Sequence, residues 1–296
     1  MTSASKWVSA ACVSARNLAL GGSVASLSLL GKPRTLFEYA TESLFLYKAL
    51  SGTRGIPEKF VFEILPGQTH YDLAIANFQC EEGWMRRTGS YSTDLISLCQ
   101  LCHAANPSTI FEIGTLRGYT ALHMSMNSPP GCRIYSLDLP KNDLPKNDLP
   151  KNDLPKNDLP KNDPQRRKTG SRAPADVRLR TTLMDDLHSG MEVGGYYFSG
   201  TPHADRIQLL FGDSAAFDFS PFHGKVDLFF VDGAHSYDYV RSDTENALRC
   251  VRSGGVIAWH DFGRMGLNEV SKYILELSRT LAIYSVPGGS LAFAVL

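Results

Sequence analysis

From residue 110 onward, apolar residues gather in short blocks separated by stretches of helical spacing. Residues 110–113, 134–137, 207–211, 226–231 and 256–259 are compact, mostly apolar runs rich in Ile, Val, Leu and Phe. Runs of that length suit strands buried on both faces, as in a parallel sheet. Between them the period lengthens. Val240, Ala247, Leu248 and Val251 fall on one helical face, as do Leu267, Val270, Ile274 and Leu277. Residues 94–105 read as a helix feeding the first strand. The end differs: residues 281–286 and 290–295 flank Pro287-Gly288-Gly289. Two strands joined by so tight a glycine turn must run antiparallel. The expected fold is therefore α/β, a doubly wound and mostly parallel, Rossmann-like sheet with a C-terminal antiparallel hairpin.

Two regions break the pattern. Residues 139–163 are five tandem copies of Leu-Pro-Lys-Asn-Asp. A proline every fifth residue forbids a continuous helix and removes donors from any strand ladder. One Leu per repeat offers too little apolar area to offset ordering the chain. The repeat, extended to about residue 175, reads as a disordered insertion in a surface loop, since lengthening a loop costs little entropy. Residues 1–88 read as an N-terminal extension or cap. Within them, residues 36–50 look helical, and residues 60–65 suit a strand or a helix. Residues 1–37 hold four bases and no acid, which is compatible with a leader, but serines and Gly21-Gly22 interrupt every apolar stretch. The expectation is an extension on a cytoplasmic protein. The domain reading is thus a cap over 1–88 and one catalytic-size domain over 89–296.

Charge narrows the class of partner. Lys plus Arg and Asp plus Glu each number 30, so the balance points to neither nucleic acid nor an anionic membrane. No run of about 18 apolar residues suggests a spanning helix. Six cysteines in 296 residues do not make a disulfide scaffold. Cys99 and Cys102 sit on the expected helix without a second pair at zinc spacing, and read as core thiols.

In open α/β sheets ligands bind beyond the carboxyl ends of the strands. Each expected strand here ends in something suited to that place. The first is followed by Gly114 and Gly118, which let the backbone turn sharply beside the free N–H groups of the next helix. The second ends at Asp138, able to take both hydroxyls of a ribose. After the third comes Gly212-Asp213-Ser214, after the fourth Asp232-Gly233-Ala234-His235, and after the fifth His260-Asp261. Each alone could be a helix cap or a surface histidine. Five strand ends in succession on one sheet edge are harder to attribute to capping.

Together these segments resemble the class I S-adenosylmethionine-dependent methyltransferases. The residues that carry the likeness are Glu-x-Gly-x-x-x-Gly-x-Thr at 112–120, Asp138, Gly-Asp-Ser at 212–214, Val-Asp-Gly-Ala-His-Ser-Tyr at 231–237 and Gly-Gly-Val-Ile-Ala-Trp-His-Asp at 254–261. They are most similar to the branch with an Asp-Gly-x-His segment, related to metal-dependent small-molecule O-methyltransferases, over residues 90–138 and 176–296. The resemblance implies that Glu112, Gly114, Thr115 and Gly118 cradle the methionine part of S-adenosylmethionine. It implies that Asp138 holds the ribose, and that Asp213 and Ser214 face the adenine. It also implies Asp232, His260 and Asp261 as ligands of a divalent metal, with His235 as base. His260 departs from the pattern, because the relatives carry an acid or amide oxygen there. Magnesium prefers oxygen ligands, whereas manganese, iron or zinc accepts a mixed set. The alternative is that no metal binds and His260 or His235 acts as base alone.

Two other classes stay open at this point. A glycine-rich turn and a ribose acid also mark nicotinamide-dependent oxidoreductases, although the spacing here is Gly-x-x-x-Gly rather than Gly-x-Gly-x-x-Gly. A non-catalytic cofactor-binding protein, with the repeat as docking element, fits the same motifs. Tyr196, Tyr197 and Phe198 either line an acceptor pocket or pack a lid against the sheet. The acceptor, expected to be a small molecule, and the oligomeric state are not legible.

Overall fold

The computed structural model describes residues 55–65, 72–76, 92–139, 179, 181, 194–263 and 267–296. The expected helix at 36–50, the N-terminal stretch and all of the repeat after Leu139 lie outside them. The elements are α1 (Val61–Ile64), α2 (Ser92–Ala105), β1 (Thr109–Ile113), α3 (Tyr119–Met126), β2 (Arg133–Asp138), β3 (Ile207–Phe211), β4 (Val226–Val231), α4 (Tyr237–Cys250), β5 (Val251–Trp259), α5 (Asn268–Leu277), β6 (Tyr284–Ser285) and β7 (Ala292–Val295). Seven strands form one sheet in the order β3-β2-β1-β4-β5-β7-β6. The first five are parallel and the last two pair antiparallel, as the glycine turn predicts.

The central strands are apolar because both of their faces are covered. Phe111, Ile113, Phe229, Val231, Ile257 and Trp259 share one core with Val240 and Ala247 of α4 and Val270 and Ile274 of α5. The alternate positions, Ile110, Leu228, Phe230, Val256 and Ala258, face Leu98 and Leu101 of α2 and Leu122 of α3. Phe111 is the hub of an aromatic group, with ring centroids 4.8 Å from Phe222, 5.0 Å from Phe229 and 5.3 Å from Phe219.

At the amino edge of the sheet, Asp227 accepts from Ser108 N at 2.8 Å, Ser108 Oγ at 2.7 Å and Thr109 N at 2.9 Å, and pairs with Arg252. That edge is stapled shut. The opposite edge is left for chemistry.

Several sequence expectations need correction. Leu248 is exposed rather than on the buried face of α4, and Val251 opens β5 instead of closing the helix. The buried stripe of α4 is Tyr239, Val240, Asp243, Thr244, Ala247 and Cys250. The hairpin strands are shorter than read, because only two residues of β6 pair with β7. Residues 60–65 settle as the single turn α1, and Lys59 N donates to Ser285 O beside it. Residues 72–76 lie against the C-terminal end of α3. Asn127 bonds Ala74 N and O, both at 2.8 Å, and His123 Nε2 accepts Ala76 N at 3.1 Å. Cys99 and Cys102 are buried, unpaired thiols, as expected. Among the described residues, no helix is long and apolar enough to cross a membrane.

Truncating Phe111 to Ala removes the centre of the aromatic group without room for collapse between sheet and helices. Denaturant unfolding should show a loss of about 3–5 kcal/mol.

Candidate active site

The parallel register sets the site. Ile113 pairs with Leu137 of β2 and Val231 of β4, and Val231 pairs with Trp259 of β5. The residues that follow, Gly114, Asp138, Asp232 and His260, therefore stand in one row at the carboxyl edge. Backbone bonds extend the ladder that far: Gly114 N donates to Leu137 O, Asp232 N to Ile113 O and His260 N to Val231 O.

Gly114 has φ 99°, and a Cβ there would lie 1.9 Å from the carbonyl oxygen of Asp232. Its glycine is demanded by the neighbouring strand end as much as by any ligand. Gly118, at φ 77°, precedes α3, and a Cβ there would fall 2.5 Å from the Phe198 ring. Phe198 is buried over this loop, and Gly194 N donates to Leu116 O beside it. Of the three aromatics, Tyr197 packs edge-on against Tyr119, with centroids 5.0 Å apart, while Tyr196 is exposed beneath Arg117.

Glu112 is fully buried, accepting hydrogen bonds from the hydroxyls of Thr120 and Ser136. Thr115 joins the same network through Ser136 Oγ at 2.6 Å. Burial pushes the Glu112 carboxyl up to about 8; the two hydroxyls pull it down, and the charges of Asp232 and Asp138 add to the rise. Burial also raises Asp138, whose oxygens accept from Leu116 N and Leu139 N, each at 2.7 Å. Asp213 ties β3 to α4 by accepting from the Tyr239 hydroxyl and from Ala215 N. Ser214 lies close by, buried, beside Asp243 of α4. Asp243 is fully enclosed, and burial lifts its carboxyl to about 7.

At the other end of the row, His260 is buried among carboxylates. Its Nδ1 lies 3.0 Å from Asp232 Oδ1 and 3.2 Å from Asp261 Oδ1. Burial works against a charged ring, yet Asp232 and Asp261 hold its pKa well above the usual histidine value. Burial likewise opposes ionising Asp261, and His260 and His235 hold it well below the usual range. His235 Nε2 sits 2.9 Å from Asp261 Oδ2. Asp261 itself adopts φ 63°, a left-handed conformation rare outside glycine and typical of strain kept at working sites. The pocket at this edge is lined by Asp232, Gly233, Ala234, His235, His260 and Asp261.

One donor atom from each of Asp232, His260 and Asp261 lies within 4.8 Å of the others. Two ligands bound side by side on one ion at about 2.1 Å stand roughly 3 Å apart, which is the spacing of His260 Nδ1 from Asp232 Oδ1 and from Asp261 Oδ1. The mixed set suits manganese, iron or zinc better than magnesium. A proton on Nδ1 competes with such an ion, because a ligating imidazole must give it up.

The sequence profile of a family described as a methyltransferase domain matches residues 111–262, just over half of the 296-residue chain. The chain belongs to this family. All the row residues lie inside the match, and its class I, Rossmann-like fold is that of the sheet described above. The nicotinamide oxidoreductase alternative is set aside. No curated protein sequence matches the chain.

Similar solved structures include an O-methyltransferase from Bacillus cereus in complex with SAH, at 16% identity over 70% of this chain and 82% of that chain, TM-score 0.44. The O-methyltransferase TomG from Streptomyces achromogenes, in complex with SAM, shares 16% over 67% and 77%, TM-score 0.38. A SAH-bound methyltransferase from Podospora anserina shares 14% over 67% and 75%, TM-score 0.40. The assignment rests on the family match and not on these.

The methyltransferase domain thus brings Glu112, Gly114, Thr115 and Asp138 together at one end, and Asp232, His235, His260 and Asp261 at the other. Sequence reasoning missed Asp94, Ser136 and Asp243. Asp243 had a visible signal, an acid three residues after Val240 and four before Ala247 on the apolar stripe of α4. Asp94 and Ser136 had none, since each acts through a fold contact.

Glu112 makes the site costly to build above acid pH. Below its ordinary value of 4.5 the carboxyl is protonated folded and unfolded, with no penalty. As pH rises toward about 8 only the unfolded chain ionises, so folding loses stability across that window. Denaturant titrations at pH 4.5 and 8 should show Glu112→Gln gaining stability over the parent chain as pH rises.

Proposed function

We propose that this methyltransferase transfers a methyl group from S-adenosylmethionine to a hydroxyl of a small molecule. The observation that carries the reading is the row of acid and imidazole groups at one carboxyl edge, inside the residues that match the family. Asp138 and Asp232 stand in that row close enough for Asp232 to add to the rise at Asp138, and the acid group of Glu112 lies beside them. That suits a cofactor with a cationic sulfonium and ammonium, and the bound cofactor supplies an electrophilic methyl.

Asp138 accepts the ribose hydroxyls with the lone pairs its backbone donors leave over. Gly114, Thr115 and Gly118 shape the loop for the methionine part, with Glu112 beneath it. Asp213 and Ser214 take the adenine side. Methyl transfer from a sulfonium is an in-line displacement, so alignment is most of the task. A hydroxyl acceptor must also lose its proton. With Nε2–H of His235 given to Asp261, Nδ1 is the atom that takes it, and the Asp261 charge stabilises the imidazolium formed. Asp232, His260 and Asp261 would hold a divalent ion, manganese before magnesium, whose chemistry there is to lower the hydroxyl's pKa.

The same reading assigns residues 1–88 to an N-terminal extension or cap, and residues 139–175 to an insertion in the methyltransferase domain. The acceptor is taken as a small molecule and the location as cytoplasmic, and the balanced charge argues against nucleic acid or an anionic membrane as partner.

Calorimetric titration with S-adenosylhomocysteine, with and without manganese, tests this. Micromolar binding is expected, and Asp138→Ala should weaken it about 10- to 100-fold by removing a charged hydrogen-bond acceptor. Absence of binding by the folded chain would overturn the cofactor reading. Binding with no turnover in an acceptor screen would favour the non-catalytic alternative.

A further inference from the structure

Asp94 of α2 lies outside the matched residues 111–262, yet its carboxylate is buried against the active site. Its Oδ1 accepts from Ser290 N at 2.6 Å and Leu291 N at 3.0 Å, and its Oδ2 accepts from Ser290 Oγ at 2.7 Å. Oδ2 also lies 3.4 Å from His260 Nε2. Nε2 is itself buried and has no hydrogen bond, which makes that carboxylate oxygen its partner by proximity. On the far side of the same ring, Nδ1 faces Asp232 and Asp261.

We infer that Asp94 is a positioning residue: it keeps a proton on Nε2 of His260 and so turns Nδ1, the ligating nitrogen, toward Asp232 and Asp261. A metal-bound imidazole needs such an outer partner to fix its tautomer and its plane. A carboxylate can only accept, so in the metal-free chain each ring nitrogen bears hydrogen toward its own carboxylate, Nε2 toward Asp94 and Nδ1 toward Asp232 and Asp261, and an ion displaces only the one on Nδ1. The role of Nδ1 as a ligand rests on the metal reading above. The state of Nε2 does not.

The two backbone donors make the inference testable by an isosteric change. In Asp94→Asn the amide oxygen must stay on Ser290 N and Leu291 N, because a flip would oppose two N–H groups with an NH2. The amide nitrogen then faces Ser290 Oγ, which can accept, and Nε2. The tie to residues 290–291 survives. Toward the ring, however, an acceptor has become a donor, which drives the hydrogen off Nε2 and leaves the one on Nδ1, where it competes with an ion. Ser290→Ala is the control, since it loosens the same turn while leaving the carboxylate in place.

Histidine-selective 15N NMR at fixed pH, with the resonance assigned by its loss in His260→Gln, reads the two nitrogens directly. Calorimetry with manganese chloride alone reads the cation. The parent chain and Ser290→Ala should carry hydrogen on both nitrogens, whereas Asp94→Asn should carry it on Nδ1 alone and bind manganese about 10- to 100-fold more weakly. Hydrogen still on Nε2 in Asp94→Asn overturns the inference, and so does a bare Nε2 in the parent chain. The second result stands even if the variant fails to fold. If no form binds manganese, the metal reading falls, and the nitrogen shifts alone decide the role of Asp94.

Discussion

The carboxyl ends of β1 and β4 press together until the carbonyl oxygen of Asp232 fills the place of a side chain on residue 114. Everything at the working edge follows from that approach. Because β2, β1, β4 and β5 run parallel and in register, each ladder ends at the same level, and the first residues beyond it form a line. A side chain at 114 would split the line in the middle and separate Asp138 from Asp232. The glycine, usually credited to ligand approach, is here first a condition of two neighbouring strand ends meeting.

A row so tightly drawn gathers negative charge, and its two ends dispose of that charge differently. Around Glu112 burial wins: the carboxyl rises to about 8 and stays protonated near neutrality, with hydroxyls of Thr120 and Ser136 as partners. Around Asp261 the neighbours win: two imidazoles hold the carboxylate ionised despite equal enclosure. A neutral acid suits a floor beneath the loop. An ionised pair facing a histidine suits a place where protons or cations are handled. The same residue type thus serves two purposes through its partners alone.

The fold was readable because both-face burial leaves a plain record. Residues 110–113 and 226–231 are apolar but for Glu112 and Asp227, as suits strands covered on both faces, and Pro287-Gly288-Gly289 announces the reversal. What failed were boundaries. Val251 continues the helical period of α4 by spacing but is the first residue of β5, since apolarity cannot tell the last turn of a helix from a strand that follows without a loop. Leu248 shows the related error, an apolar residue near the face that packing leaves exposed.

The site was legible to the extent that its residues sit at strand ends. Asp138, Asp232, His260 and Asp261 each follow an apolar run directly, so strand position implied convergence before any coordinates. Asp94 follows none: it begins a helix, where an acid has an ordinary reading as a favourable charge in the first turn. Its meaning comes from the turn at 288–291, almost two hundred residues later, which brings Ser290 and Leu291 against it while β5 delivers His260. A side chain that acts by supporting another has no local pattern of its own. Its signature is a pair of residues distant in sequence, which only the packed fold brings into contact.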